Sequence, residues 1–258
     1  MANGKRCAAG DILDAAMPYL RRYGRALTGC QTTGDTLAAK ARRSARTMPL
    51  PLSARAVRIL MFTELHNAWS ELRAHSLSQR EARRRMGRLT RNSRETLLLR
   101  AIEEFSFAEI AKILNLDEAQ AEQLFEVALA EAPYKSGTRV LIVEDDPMVA
   151  MDMSACLSDM GCQVVGVART AAEAVELAGN SPPELIIASL LLADKSSGLE
   201  AARRITAQNP RTDAVFVTPY PERLLTGTTQ EPVFIITTPY LQDQVRSAVT
   251  QSFLLSGL

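Results

Sequence analysis

The stretch Val140-Leu-Ile-Val-Glu-Asp-Asp-Pro-Met148 limits the possible folds more than any other. Four apolar residues of strand type run straight into three carboxylates, Glu144, Asp145 and Asp146. A strand buried on both faces reads as an unbroken apolar run, and acids delivered at its carboxyl end are how an open α/β sheet builds a cation or phosphate site. The unit then repeats. Strands are expected at 139–144, 163–167, 184–189, 213–218 and 233–237, and helices at 147–160, 171–179, 198–207, 221–226 (short) and 241–252. Five alternating units predict a doubly wound parallel sheet, a (βα)5 domain. Its carboxyl edge gathers Glu144, Asp145, Ser189, Thr218 and Thr238.

Everything before that stretch reads as helix. Residues 1–10 lack apolar periodicity and are expected to be loose. Apolar residues then recur at helical spacing over 11–27, 34–45 and 54–73. The fold class is therefore an all-α domain, expected at 1–136, followed by an α/β domain at 137–258. Residues 1–136 hold 22 Lys and Arg against 15 Asp and Glu, whereas 137–258 hold 8 against 14. Opposite charge on the two halves suggests either mutual attraction or different partners.

Several function classes are excluded early. No run approaches the roughly 18 apolar residues that span a bilayer. The N-terminus has no apolar signal core, so the expected location is the cytoplasm, with no membrane partner. Cys7, Cys30, Cys156 and Cys162 show no metal spacing, and His66 and His75 are the only histidines. A histidine-based metal site or triad is not expected, nor is an enzyme. Trp69, His66 and Phe62 read as helix packing.

Residues 93–132 have the pattern of a helix-turn-helix. Helices are expected at 94–102, 107–114 and 118–131, with Asn115-Leu116-Asp117 as the tight turn, because Asn tolerates the left-handed conformation. A DNA-reading helix needs cations or amides on its outer face. The segment 113–132 has no Lys or Arg but carries Asp117, Glu118, Glu122, Glu126 and Glu131. Such a face repels a polyanion. The Arg-rich stretch Arg80, Arg83, Arg84, Arg85, Arg88 and Arg91 is a possible nucleic-acid footprint but reads better as a solvated linker or a docking face.

Arg94-Glu-Thr-Leu-Leu-Leu-Arg100 followed by Phe107-Ala-Glu-Ile-Ala-Lys-Ile-Leu114 is similar to region four of extracytoplasmic-function sigma factors. Pro18-Tyr-Leu-Arg-Arg-Tyr-Gly-Arg-Ala-Leu-Thr-Gly29 resembles the opening helix of a sigma-like domain. The second half resembles a two-component receiver along its whole length. Together with Ser196-Ser-Gly-Leu199 and Tyr220-Pro-Glu-Arg-Leu-Leu-Thr-Gly227, the chain resembles the PhyR family of general-stress-response regulators. That resemblance implies a sigma mimic that captures a NepR-type anti-sigma protein, with a histidine kinase as a possible upstream partner and no direct DNA binding. It offers Ile110, Leu114, Leu116, Glu122, Leu124, Phe125 and Glu126 as candidate partner contacts.

The resemblance fails at the receiver's chemistry. The phosphoacceptor aspartate is expected at the end of the third strand, where this chain has Ser189. The lysine that pairs with phosphate is expected before the proline of the fifth junction, where it has Thr238. The hydroxyl partner survives as Thr218, and Glu144 and Asp145 keep two acids for Mg²⁺. Magnesium held by one or two carboxylates needs further oxygen ligands, so binding there is expected to be weak at most. The expected function is a regulator that works without phosphorylation. A conventional phosphorylation-activated regulator and a DNA-binding regulator are the alternatives.

Overall fold

The computed structural model describes residues 2–51, 53–76, 90–130, 136–227 and 231–256. Most of the Arg-rich stretch (80–88), Glu131 and the first part of the linker lie outside these. The chain forms two compact units. One is Met1–Glu131 with Glu222–Val233, and the other is Ala132–Pro221 with Phe234–Leu258. The segment Glu222–Val233, far along the second half in sequence, groups with the helices.

The helical unit comprises α1 (Ala2–Thr28), α2 (Gln31–Ala45), α3 (Ala54–Ser76), α4 (Ser93–Leu97), α5 (Phe107–Leu114) and α6 (Glu118–Ala130). Residues 2–10 extend α1, contrary to the expected loose terminus. Ala2, Ala8 and Ala9 favour helix even without an apolar stripe. α4 runs into one π-helical turn, Leu98–Ile102, where a continuous α-helix was expected. α1 and α2 meet through Gly24 and Gly34. A Cβ on Gly24 would lie 2.7 Å from the Gly34 carbonyl oxygen, so the crossing tolerates no side chain. The core centres on a stack of rings, Tyr23 on Phe62 at 5.2 Å and Phe62 on Phe105 at 4.9 Å. Trp69 is buried as expected and donates its indole N–H to Glu95.

α5 begins with a reciprocal cap. The Ser106 hydroxyl accepts from Glu109 N, and the Glu109 carboxylate accepts from Ser106 N. It ends at Asn115, with φ 55 and ψ 56, the left-handed residue the turn needs.

The second unit holds β1 (Arg139–Val143), β2 (Gln163–Ala168), β3 (Leu185–Ser189), β4 (Asp213–Thr218) and β5 (Phe234–Thr237). The order is β2-β1-β3-β4-β5, every pair parallel. The connecting helices are α7 (Pro147–Asp159), α8 (Ala171–Asn180) and α9 (Gly198–Gln208), and α10 (Gln242–Ser256) follows β5. Between β4 and β5 there is a single 3-10 turn, Pro221–Arg223, in place of the short helix expected at 221–226. The inner strands β1 and β3 are buried along almost their whole length, which is why they read as unbroken apolar runs.

Candidate functional site

The strand order reverses direction between β1 and β3, and in an open parallel sheet ligands bind beyond the carboxyl ends of the strands at that switch. Val143 pairs with Ala188, so the next residues on each strand, Glu144 and Ser189, emerge side by side. The Ser189 hydroxyl donates to Glu144 Oε2. Glu144 is buried, and its Oε1 accepts from the Asp146 main-chain N–H at 3.1 Å. Both carboxylate oxygens are therefore engaged by this chain's own donors.

The other two acids have separate fates. Asp146 caps α7, its Oδ1 accepting from Met148 N at 2.8 Å and from Val149 N at 3.3 Å. Asp145 is half-buried, and its main-chain oxygen accepts from the Arg169 guanidinium at 3.4 Å. An octahedral Mg²⁺ demands several free oxygens. Here Ser189 and the Asp146 N–H engage Glu144, Asp146 caps the helix, and Ser189 adds no charge. Among the described residues, no group of three or more His, Cys, Asp or Glu is placed to hold a metal ion.

Thr218 ends β4, buried, and its hydroxyl accepts from Tyr220 N at 3.1 Å. Thr238 follows β5 and donates its main-chain N–H to the Thr218 carbonyl oxygen at 3.1 Å. Nearby, burial and the charge of Asp152 raise the Tyr240 phenol well above its ordinary value, helped by its hydrogen bond to Asp152 and by Glu144. Asp194 is the nearest acid after Ser189 in sequence. It is exposed, and its Oδ1 accepts from Ser196 N at 2.9 Å and the Ser196 hydroxyl at 2.6 Å. Gly198 holds this loop close, since a Cβ there would lie 2.0 Å from the Ser189 oxygen.

The second candidate surface is the pair α5 and α6. Ile110 and Leu114 are buried in the helical core, at 0% and 4% exposure. In this conformation they serve the core of the unit, because the apolar face of a short amphipathic helix is used up by packing. Leu116, Leu124 and Phe125 are half-buried, with the Phe125 ring 5.8 Å from Phe107. Glu118, Glu122 and Glu126 are exposed and give α6 an acidic outer face.

Sequence reasoning missed the role of Glu231. Its Oε2 accepts from the fully buried Arg25 at 2.7 Å, while Arg25 also pairs with Asp35 through two bonds of 2.7 and 2.8 Å. Glu231 Oε1 accepts from Thr226 N and Gly227 N, and the Glu231 N–H donates to Gln31 Oε1 at 2.8 Å. Burial pulls the Glu231 carboxyl upward, but the hydrogen bonds from Thr226, Arg25 and Gly227 outweigh it and hold it below the ordinary range. Arg21 donates to the Leu225 oxygen at 2.8 Å. The one signal available in the sequence was the shortness of the helical segment between β4 and β5.

Three family descriptions match the chain. These are "Sigma2 domain of PhyR" over residues 13–66, "Response regulator PhyR, sigma-like domain" over 86–132, and "Response regulator receiver domain" over 140–236. The chain is 37% identical over 245 residues to the phyllosphere-induced regulator PhyR of Methylorubrum extorquens, covering 92% of this chain and 91% of that one. The crystal structure of the response regulator PhyR from Brucella abortus superposes with a TM-score of 0.78 at 34% identity, covering 92% and 90% of the two chains. The anti-anti-sigma factor PhyR from Bartonella quintana does so with a TM-score of 0.80 at 34% identity, covering 94% of each. With helical sigma-like and receiver units in the same order, and relatives that match nearly end to end, the chain belongs to the PhyR family of response regulators.

Proposed function

We propose that this protein is an anti-anti-sigma regulator of a stress response, acting by binding rather than catalysis, in the cytoplasm. Its sigma-like half, 1–136, captures an anti-sigma protein of the NepR type, and its receiver-like half, 137–258, does not take phosphate. The observation that carries the first part is α6. It sits where a sigma factor reads DNA but turns Glu118, Glu122 and Glu126 to solvent. Those acids disfavour DNA and suit a basic partner, contributing mainly to orientation and on-rate. The half-buried Leu116, Leu124 and Phe125 supply the apolar contact. The relative from Bartonella quintana is itself described as an anti-anti-sigma factor, which supports the same reading.

The Ser189–Glu144 hydrogen bond supports the second part. Serine is no carboxylate nucleophile, and Thr238 brings no cation to neutralise a phosphoryl group. Control then falls to relative affinity, another protein or expression level.

The test is calorimetry of the full-length chain with a purified NepR-type protein. Binding is expected, with the same affinity whether or not acetyl phosphate and Mg²⁺ are present. Glu122→Lys with Glu126→Lys is expected to slow association about tenfold, more at low salt. A phosphodonor that tightens binding sinks the phosphate-independent reading. Absence of binding, together with steeply salt-dependent binding to DNA, sinks the anti-sigma reading.

A further inference from the structure

α3 turns a polar edge toward α4. His66, Trp69 and Arg73 follow one another at intervals of three and four residues, so they share one face of the helix. Two of them hold Glu95 of α4. The Trp69 indole N–H donates to Glu95 Oε1 at 3.1 Å, and the Arg73 guanidinium donates to the same oxygen at 3.0 Å. Glu95 is buried, and its Oε2 takes no hydrogen bond among the described residues.

The third residue of that face is left out of the arrangement. His66 is 8% exposed. Its Nδ1 has no hydrogen-bond partner among the described residues, and its Nε2 meets the Ser70 hydroxyl at a long 3.4 Å. A neutral imidazole can sit in such a place, but an imidazolium carries two N–H donors and must find acceptors. Burial holds the ring neutral and moves its titration below the ordinary 6.5. The Glu95 charge acts against burial, whereas Arg91, in the turn before α4, and Arg73 act with it. Tyr23 of α1 and Arg94 of α4 act on Glu95 in turn. Other charged groups around α3 are paired with one another: Lys40 with Glu71, Arg42 with Asp14, Arg55 with Glu109, and Arg22 and Arg58 with Glu103.

We propose that His66 is a proton-operated latch of the helical unit: once protonated, its ring draws the Glu95 carboxylate away from Trp69 and Arg73 and loosens α4 from α3. The closed arrangement gives the imidazolium no second acceptor. An arrangement in which the ring reaches Glu95 or water binds the proton more tightly, so falling pH shifts the population toward it. The closed latch contributes fully above 6.5, and its contribution is lost as pH falls from there through the lower folded value. α4 packs against α6, so its release also loosens the helix with the acidic face. The latch does not depend on what the unit binds.

The test uses the full chain, in which Trp69 is the one tryptophan and His66 and His75 are the only histidines. NMR follows the His66 ring, the Trp69 indole N–H and hydrogen exchange of the Thr96 amide, which donates to the Asn92 oxygen at 2.9 Å in the first turn of α4. The range runs from about pH 8 to about pH 5, where histidine titrates. The ring and the indole signal are expected to move with one midpoint, below 6.5. Protection of Thr96, corrected for intrinsic exchange, should fall by up to about tenfold per pH unit, the limit for a single proton. Far-UV circular dichroism should keep its helical signal throughout. His66→Gln should abolish the indole and exchange changes, and His75→Gln should leave them. Glu95→Gln, which keeps an acceptor for Trp69 but not the charge, should move the midpoint further down. If His66→Gln does not fold, the shared midpoint in the parent decides the matter. An unmoved indole signal, separate midpoints for ring and indole, the same transition in a folded His66→Gln, or loss of the whole helical signal at that midpoint would each overturn the proposal.

Discussion

Ser189 and Glu144 form a self-satisfied pair at the carboxyl ends of β3 and β1. Ser189→Ala removes the hydroxyl donor from a buried carboxylate and is expected to cost about 1–3 kcal/mol in chemical denaturation. Ser189→Asp is worse in a specific way. It sets a second carboxylate beside Glu144 with no lysine at 238, so the pair's affinity for a proton rises in the folded state. A carboxyl whose folded value is raised destabilises at neutral pH, and stability returns as pH falls through that raised value. The Ser189→Asp protein should therefore unfold more easily at pH 7 than the parent and recover on acidification. Adding Thr238→Lys should remove most of that pH dependence, read from thermal midpoints across pH 4–8 (roughly the carboxylate range in such coupled sites). Glu109 behaves oppositely. The Arg55 guanidinium, which donates to both its oxygens, and the N–H of Ser106 hold it down to about 2, from an ordinary 4.5. Its contribution is present above 4.5 and drains away as pH falls through about 2. Glu109→Gln should flatten the acid limb of the unfolding curve there. The identities Ser189 and Thr238 were plain in the sequence. That the serine would bond to Glu144 was not, because that depends on the β1–β3 register.

At the level of elements, the crossing of α1 and α2 and the segment Glu222–Val233 decide how the helical unit closes. A Cβ at Gly34 would lie 2.4 Å from Arg25 N, against backbone that cannot yield cheaply. Gly34→Ala is expected to force the helices apart and cost about 1–3 kcal/mol, seen as a lowered thermal midpoint. The Glu231 carboxylate accepts from Arg25, Thr226 and Gly227. Glu231→Gln keeps the shape but weakens the charge-assisted bond to buried Arg25. It should cost about 1–3 kcal/mol and speed hydrogen exchange at the Thr226 and Gly227 amides. Unchanged exchange there would argue that Glu231 does not hold the turn. The helices of this unit were mostly legible from apolar spacing and caps, as with Ser106, Glu109 and Asn115. The π turn at Leu98–Ile102 was not, since a turn with one extra residue leaves no mark on composition.

Across the whole molecule, the segment Glu222–Val233 makes the helical unit discontinuous in sequence. A fragment ending at residue 136 leaves Arg25 buried with Asp35 but without Glu231. It is expected to melt below the corresponding transition of the full chain by circular dichroism, and a synthetic peptide of residues 221–234 should raise its midpoint. If the fragment is as stable as the full chain, the segment contributes nothing to that unit. The sequence by itself determined the two fold classes, the sheet edge that carries the acids, the placing of Ser189 at the end of the third strand and of Thr238 after the fifth, and the acidic character of α6. All of these are carried by local periodicity or by the chemistry of single positions. Tertiary structure alone decided that Asp146 caps a helix, that Asp194 bonds within its own loop, and that Glu231 serves the helical unit. Each of those depends on which side chains come within hydrogen-bonding or van der Waals reach once the chain has folded, and no local pattern encodes that distance.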